Sequence, residues 1–208
     1  MEIDTIDFIS ILGLVFNLML CILMPNTDEI AYVFTNIIFL FPFARSISFK
    51  YYDIALLAFT IVVASSGWHA LGTNPWQDFD ALLSYLFIYY ISLRILPYPN
   101  LAVLLMIALV ESCVDYFMVD YHFVELYIHI GIVSVLVVIN RNTMNWKIIT
   151  AIVLLFGVAF ICKISETNKM HGIWHLLTAT ALYMCIHSIR YTSSKTRTNR
   201  VAFNRLQE

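Results

Sequence analysis

The chain has 208 residues, 61% of them apolar and only 12% charged, with a net charge of −2. Soluble domains are about 45–50% apolar and about 25% charged, and a chain this short keeps too large a surface fraction to hide such an excess. The composition excludes a soluble globule, a disordered chain and a nucleic-acid binder, and makes lipid the main solvent. Cys21, Cys113, Cys162 and Cys185 are scattered through apolar stretches without a CxxC. They read as small packing residues rather than as a redox motif.

Crossing a bilayer takes about 20 apolar residues per helix. In chain order the apolar stretches are 8–24, 29–47, 52–70, 79–96, 101–119, 123–139, 146–164 and 171–191. They are continuous rather than alternating, which predicts helices and not barrel strands. The breaks between them are short and polar (PNTDE, SFKYYD, LGTNPWQD, PYPN, DYH, NRNTMNWK, SETNKM) and leave no room for a further domain. The expected organisation is an N-terminal hydrophobic helix with a short outer loop over 1–28, a seven-helix membrane domain over 29–191 and a basic tail over 192–208. The first stretch is expected to be a retained helix. Its leading MEIDTID is acidic rather than basic, and no clean A-x-A-like site follows.

Alternating the sides from span to span sorts the basic residues. Arg45, Lys50, Arg94, Arg141, Lys147, Arg190, Lys195, Arg197, Arg200 and Arg205 fall on one side, ten of the twelve Lys and Arg. Lys163 and Lys169 fall opposite. By the positive-inside rule the basic side, with the C-terminal tail, is cytoplasmic. The basic residues of the tail can also anchor it to anionic lipid.

Ionisable groups inside a membrane are costly, so each is a functional candidate. His69 lies at the outer end of the 52–70 stretch, with Ser65 one turn deeper on the same face. Asp80 opens the next stretch, and His171 and His175 occupy the first two turns of the last. Five polar side chains from three helices therefore converge near one membrane face. Two histidines at i, i+4 and a third from another helix make the three-nitrogen set of a catalytic zinc, whose fourth position is left for water. Such a site lowers the pKa of its water to about 7. Asp80 is placed to move the proton, and Ser65 to hold the water or the oxyanion. Interfacial packing of the histidines explains the spacing equally well at this point. His122 and His129 are rival ligands. Asp115 is a candidate cation ligand, or a buried acid with a hydrogen-bond donor. Glu111 and Glu125 are further acids in or near the spans, and His187 falls near the cytoplasmic end.

The runs Ser65-x-x-x-His69-Ala70-Leu71, Gln77-x-x-Asp80 and His171-Gly-Ile-Trp-His175-Leu-Leu-Thr178 resemble the alkaline ceramidases. These belong to the CREST superfamily of seven-span metal-dependent membrane hydrolases, which includes the adiponectin-type receptors and the myomaker group. The stretch Glu29–Asn36 (EIAYVFTN) resembles the opening of the first family span. The resemblance implies an all-α integral-membrane, seven-helix bundle of the CREST type, here with an extra N-terminal helix. It implies that His69, His171 and His175 ligate zinc, that Asp80 activates the water and that Ser65 sits beside the metal. It implies hydrolysis of the amide bond of ceramide to a sphingoid base and a fatty acid. The acidic, Trp-centred loop that binds calcium in that family is replaced by an apolar stretch. Glu29 matches one of its acids, so the calcium cage is incomplete.

The function expected is a zinc-dependent intramembrane lipid amidase whose partners are a ceramide-like substrate and the bilayer. The setting is a multi-pass protein of the ER or Golgi in a eukaryotic host, or of the inner membrane in a bacterial one. The alternatives are an ester hydrolase of phospholipids or GPI lipids and a non-enzymatic receptor-like or membrane-remodelling protein. A small proton-coupled transporter fits less well, because no Gly/Pro-broken pair of spans and no inverted repeat is visible.

Overall fold

The computed structural model describes residues 35–95, 100–117, 144–164 and 168–205, with isolated positions at 131, 138 and 142. Among the described residues all regular structure is helical. A short 3-10 turn, Ile37–Phe39, leads into α1 (Leu40–Ser48). α2 (Tyr52–Leu71), α3 (Asn74–Arg94), α4 (Leu101–Phe117), α5 (Trp146–Ile164) and α6 (Asn168–Arg205) follow. Among the described residues, three spans are long and apolar enough to cross a membrane: Tyr52–Leu71, Trp146–Lys163 and Met170–Lys195. The expected span over 8–24, that over 123–139 apart from positions 131 and 138, and residues 29–34 of the 29–47 stretch lie outside the described residues, as do His122, Glu125 and His129.

Two helices extend well beyond the stretches expected. α3 starts at Asn74, inside the predicted LGTNPWQD break. Pro75 stands in its first turn, where a missing N–H breaks no helical bond and the fixed φ suits the helix. Thr73 O accepts Trp76 N and Gln77 N at 3.0 and 3.2 Å and closes that turn. α6 starts at Asn168 and runs through the basic segment to Arg205, because no Gly or Pro interrupts it after Tyr191.

The turns on either side of α2 set its ends. Lys50 takes φ +63°, its N–H bonds Ile47 O at 2.9 Å, and Tyr51 N–H bonds Ser46 O at 2.8 Å. That is a Schellman motif closing α1 with a lysine where glycine is usual. Gly72, φ +60°, ends α2 in the same left-handed conformation, its N–H on Trp68 O at 2.8 Å.

The described residues form two compact units. The first takes in those within Met1–Ser84 and Ala151–Tyr183, the second those within Tyr85–Thr150 and Met184–Glu208. In the first, α2 buries Ile54, Ala58, Ile61, Ser65 and His69, one stripe at helical spacing. Ala55, Ala58 and Ala64 keep that stripe narrow, which permits the close approach of neighbouring backbones typical of membrane helices. The opposite side exposes Leu56, Phe59 and Val63, a surface suited to hydrocarbon. The core of the second unit holds Phe87, Tyr89, Tyr90, Ile91, Cys185, Ile186 and Ile189. Glu111 and His187 also fall within the second unit.

Candidate metal centre

The centre lies wholly within the first unit. α2 delivers His69 in its last turn, and α6 delivers His171 and His175 on one face, four residues apart. The ring centroids stand 5.0 Å (His69–His171), 5.6 Å (His69–His175) and 4.7 Å (His171–His175) apart. One nitrogen from each ring lies within 4.8 Å of the others, and among the described residues this is the one such group of metal-ligating side chains. His69 Nε2 and His171 Nε2 are 3.3 Å apart. A tetrahedral ion with bonds of about 2.0–2.1 Å holds its nitrogens about 3.3 Å apart, which is the spacing of the His69–His171 pair. The three histidines can hold a metal ion.

The ring of His175 is fixed from behind. It is 1% exposed, Thr35 Oγ1 lies 2.9 Å from its Nδ1, and Phe39 meets it edge-on at 6.0 Å. A ring that gives Nε2 to a metal carries its proton on Nδ1, which then donates to the Thr35 hydroxyl oxygen. Such outer partners set tautomer and orientation and raise ligand basicity. Sequence reading missed Thr35. It lies within the EIAYVFTN run, but nothing in its spacing points to a histidine 140 residues away. Asn36 and Thr178, beside Thr35 and one turn beyond His175, are buried with no hydrogen-bond partner among the described residues. Buried polar groups of this kind are costly in an apolar core and concentrate at functional sites.

Ser65 and Asp80 form the second part of the site. Ser65 is 3% exposed on α2, one turn before His69. Its hydroxyl donates a hydrogen bond to the Asp80 carboxylate. α3 reaches this position because Gly67 has no side chain. The Trp76 indole lies on its backbone, so that a Cβ at 67 would stand 2.5 Å from Cε3 of that ring. Trp76 and Asp80 are i, i+4 on α3, so the contact that seats Trp76 also brings Asp80 toward α2. The Asp80 carboxylate is not one of the three clustered ligands.

The surroundings of His171 are aromatic and cationic. Trp174 stands between the two α6 histidines in sequence, 5.3 Å from His171 and 4.7 Å from His175 by ring centroids. Lys163, exposed in the last turn of α5, holds its Nζ 5.0 Å from the centre of the Trp174 ring. His171 is half-buried, whereas His69 and His175 are buried, so the open side of the cluster is the His171 side. Compared with protein-family models, curated proteins and solved structures, the chain matches none.

Proposed function

We propose that this chain is an integral-membrane, zinc-dependent lipid amidase that cleaves the amide bond of a ceramide-like lipid into a sphingoid base and a fatty acid. Its fold would be a seven-helix bundle of the CREST type with an extra N-terminal helix. The observation that carries the proposal is the meeting of His69, His171 and His175 around one point, on helices apolar enough to cross a bilayer. Three neutral nitrogens with an open fourth position are the donor set of a hydrolytic zinc. A zinc ion held there supplies the Lewis acidity that brings water to hydroxide near neutral pH.

The protein's own groups do the rest. Asp80 accepts the proton given up by the attacking water and returns it to the departing nitrogen, which leaves as a neutral amine. Ser65, bonded to Asp80, holds the carboxylate in one orientation. Thr35 keeps the His175 ring turned toward the cluster. A lipid whose chains stay among apolar helices needs only to bring its amide to the His171 side. The centre would then lie near the non-cytoplasmic face of an ER, Golgi or bacterial inner membrane, with the basic segment after Tyr191 in the cytoplasm.

Metal analysis of the purified protein, paired with lipid mass spectrometry after incubation with labelled ceramide and labelled phospholipid, tests the proposal. About one zinc per chain and release of sphingoid base are expected. Asp80→Asn should keep the metal and lower turnover by about 10²–10⁴-fold. Protein without metal, or full turnover in Asp80→Asn, overturns it. Cleavage of phospholipid with ceramide untouched makes the enzyme an ester hydrolase instead.

A further inference from the structure

Asn36 and Thr178 have no part in the chemistry above. Asn36 is 0% exposed and Thr178 5%. The Asn36 Oδ1 and Nδ2 and the Thr178 Oγ1 are buried with no hydrogen-bond partner among the described residues. Both residues belong to the surroundings of His175. Thr178 lies one turn beyond it on α6, on the face that also carries His171. Asn36 lies in sequence between Thr35 and Phe39, the two residues that meet the ring from behind. Its backbone is helical, at φ −68° and ψ −21°. It is buried where Ile37 and Leu40 are exposed, so its amide turns inward with Thr35 and Phe39. All of these residues belong to the first unit. Leucine and valine nearly match asparagine and threonine in shape, and would fill this place without the cost of an unpaired polar group. Three such atoms around one clustered histidine point to a partner that the chain does not itself supply.

We infer that Asn36 and Thr178 form a neutral polar site behind the His175 ring, which pairs with a hydroxyl or amide group of a lipid. The site rests on the lipid-hydrolase proposal for its lipid, and narrows the substrate to one with a neutral, hydrogen-bonding headgroup. An amide and a hydroxyl each donate and accept, so a group that does both can satisfy all three atoms. An anion only accepts and leaves the Asn36 Oδ1 facing it, and an ammonium only donates and leaves Nδ2 unmatched. Both side chains are buried. The lipid group therefore reaches them as the 35–40 segment and α6 part, and its hydrogen bonds then draw the two together. Water shares the chemistry of a hydroxyl and is the other source of such a group.

The test is binding rather than turnover. The full chain, in phosphatidylcholine nanodiscs, is titrated once loaded with zinc and once stripped of it. The probes are dodecanoyl ethanolamide, which donates and accepts, methyl dodecanoate, which only accepts, and dodecyl phosphate, an anion. Stripped wild-type protein should bind the ethanolamide about tenfold more tightly than either of the others, roughly the size of one hydrogen bond. Thr178→Val and Asn36→Leu should each remove most of that preference. Thr178→Ser should keep it, which separates loss of the hydroxyl from a disturbed helix. If Thr178→Val and Asn36→Leu both keep the wild-type preference, the site does not exist. A wild type without preference, whose Tm falls in Thr178→Val because a held water has lost its partner, overturns the lipid as occupant in favour of water. Because the stripped protein is read separately, a preference that persists in a chain unable to bind zinc keeps the site and removes only the zinc-hydrolase function.

Discussion

α5 and α6 are both apolar enough to span a bilayer, but they are used in opposite ways. Only 22% of the spanning window of α5 is buried, against 56% for α6. α5 is the more apolar of the two, and exposes Val153, Leu154, Val158, Phe160 and Ile161. α6 carries the polar residues and buries them: His175, Thr178, Ser188 and Thr192. In water the most apolar helix goes inside. In hydrocarbon there is no such drive, because lipid is as apolar as leucine. Polar groups then become the ones that need the interior, where other protein groups can satisfy them. The least hydrophobic of the long spans is accordingly the one to search for function, and it supplies two of the three clustered histidines.

The contrast can be broken in three places. The largest effect is expected at His175. Replacing it with alanine takes one ligand from the three and leaves Thr35 without the ring it bonds. Metal analysis after gel filtration should find the protein empty, while the same substitution at His187 should leave metal content unchanged. Metal retained by His175→Ala would remove His175 from the ligand set.

Next comes packing. Leu182 on α6 is 1% exposed and Leu154 on α5 is 64% exposed. Leu182→Ala should cost about 2–5 kcal/mol, as core truncations do, and Leu154→Ala no more than about 0.5 kcal/mol. Unfolding in detergent or bicelles measures both, and equal costs would mean that the two helices share one environment.

The smallest effect is expected at Thr35. Thr35→Ala should weaken metal binding about 10–100-fold, the usual consequence of removing a ligand's outer partner. Thr35→Ser should restore it, because only the hydroxyl is used. A competition titration against a chelator of known affinity reads the difference. An unchanged affinity in Thr35→Ala would make the 2.9 Å contact a packing feature.

Much of this was open to inspection in the sequence, and the exceptions have physical causes. α2 and α5 begin at the residues that hydropathy assigns, and α2 ends within one residue and α5 at the assigned one, since continuous apolar runs bounded by polar breaks carry the signal. The meeting of His69 with His171 and His175 follows from counting helix turns from the membrane face, and the structure brings those rings together. The start of α3 escaped notice because Pro75 reads as a breaker, although it is favourable in a first turn. The continuation of α6 escaped because hydropathy reports solvent, not helicity, and a charged helix remains a helix outside the hydrocarbon. Thr35 and the seating of Trp76 on Gly67 are contacts between distant segments. No local pattern encodes them.

The placement of the indoles has a practical consequence. Of the four tryptophans, Trp68 lies 6.4 Å from the His69 ring, Trp174 lies beside both α6 histidines, and Trp76 rests two residues from His69 on the α2 backbone. The chain thus carries its own optical reporters at the place where an ion would enter. Its ultraviolet emission should respond to cobalt or copper, which quench nearby fluorophores, without any label being attached.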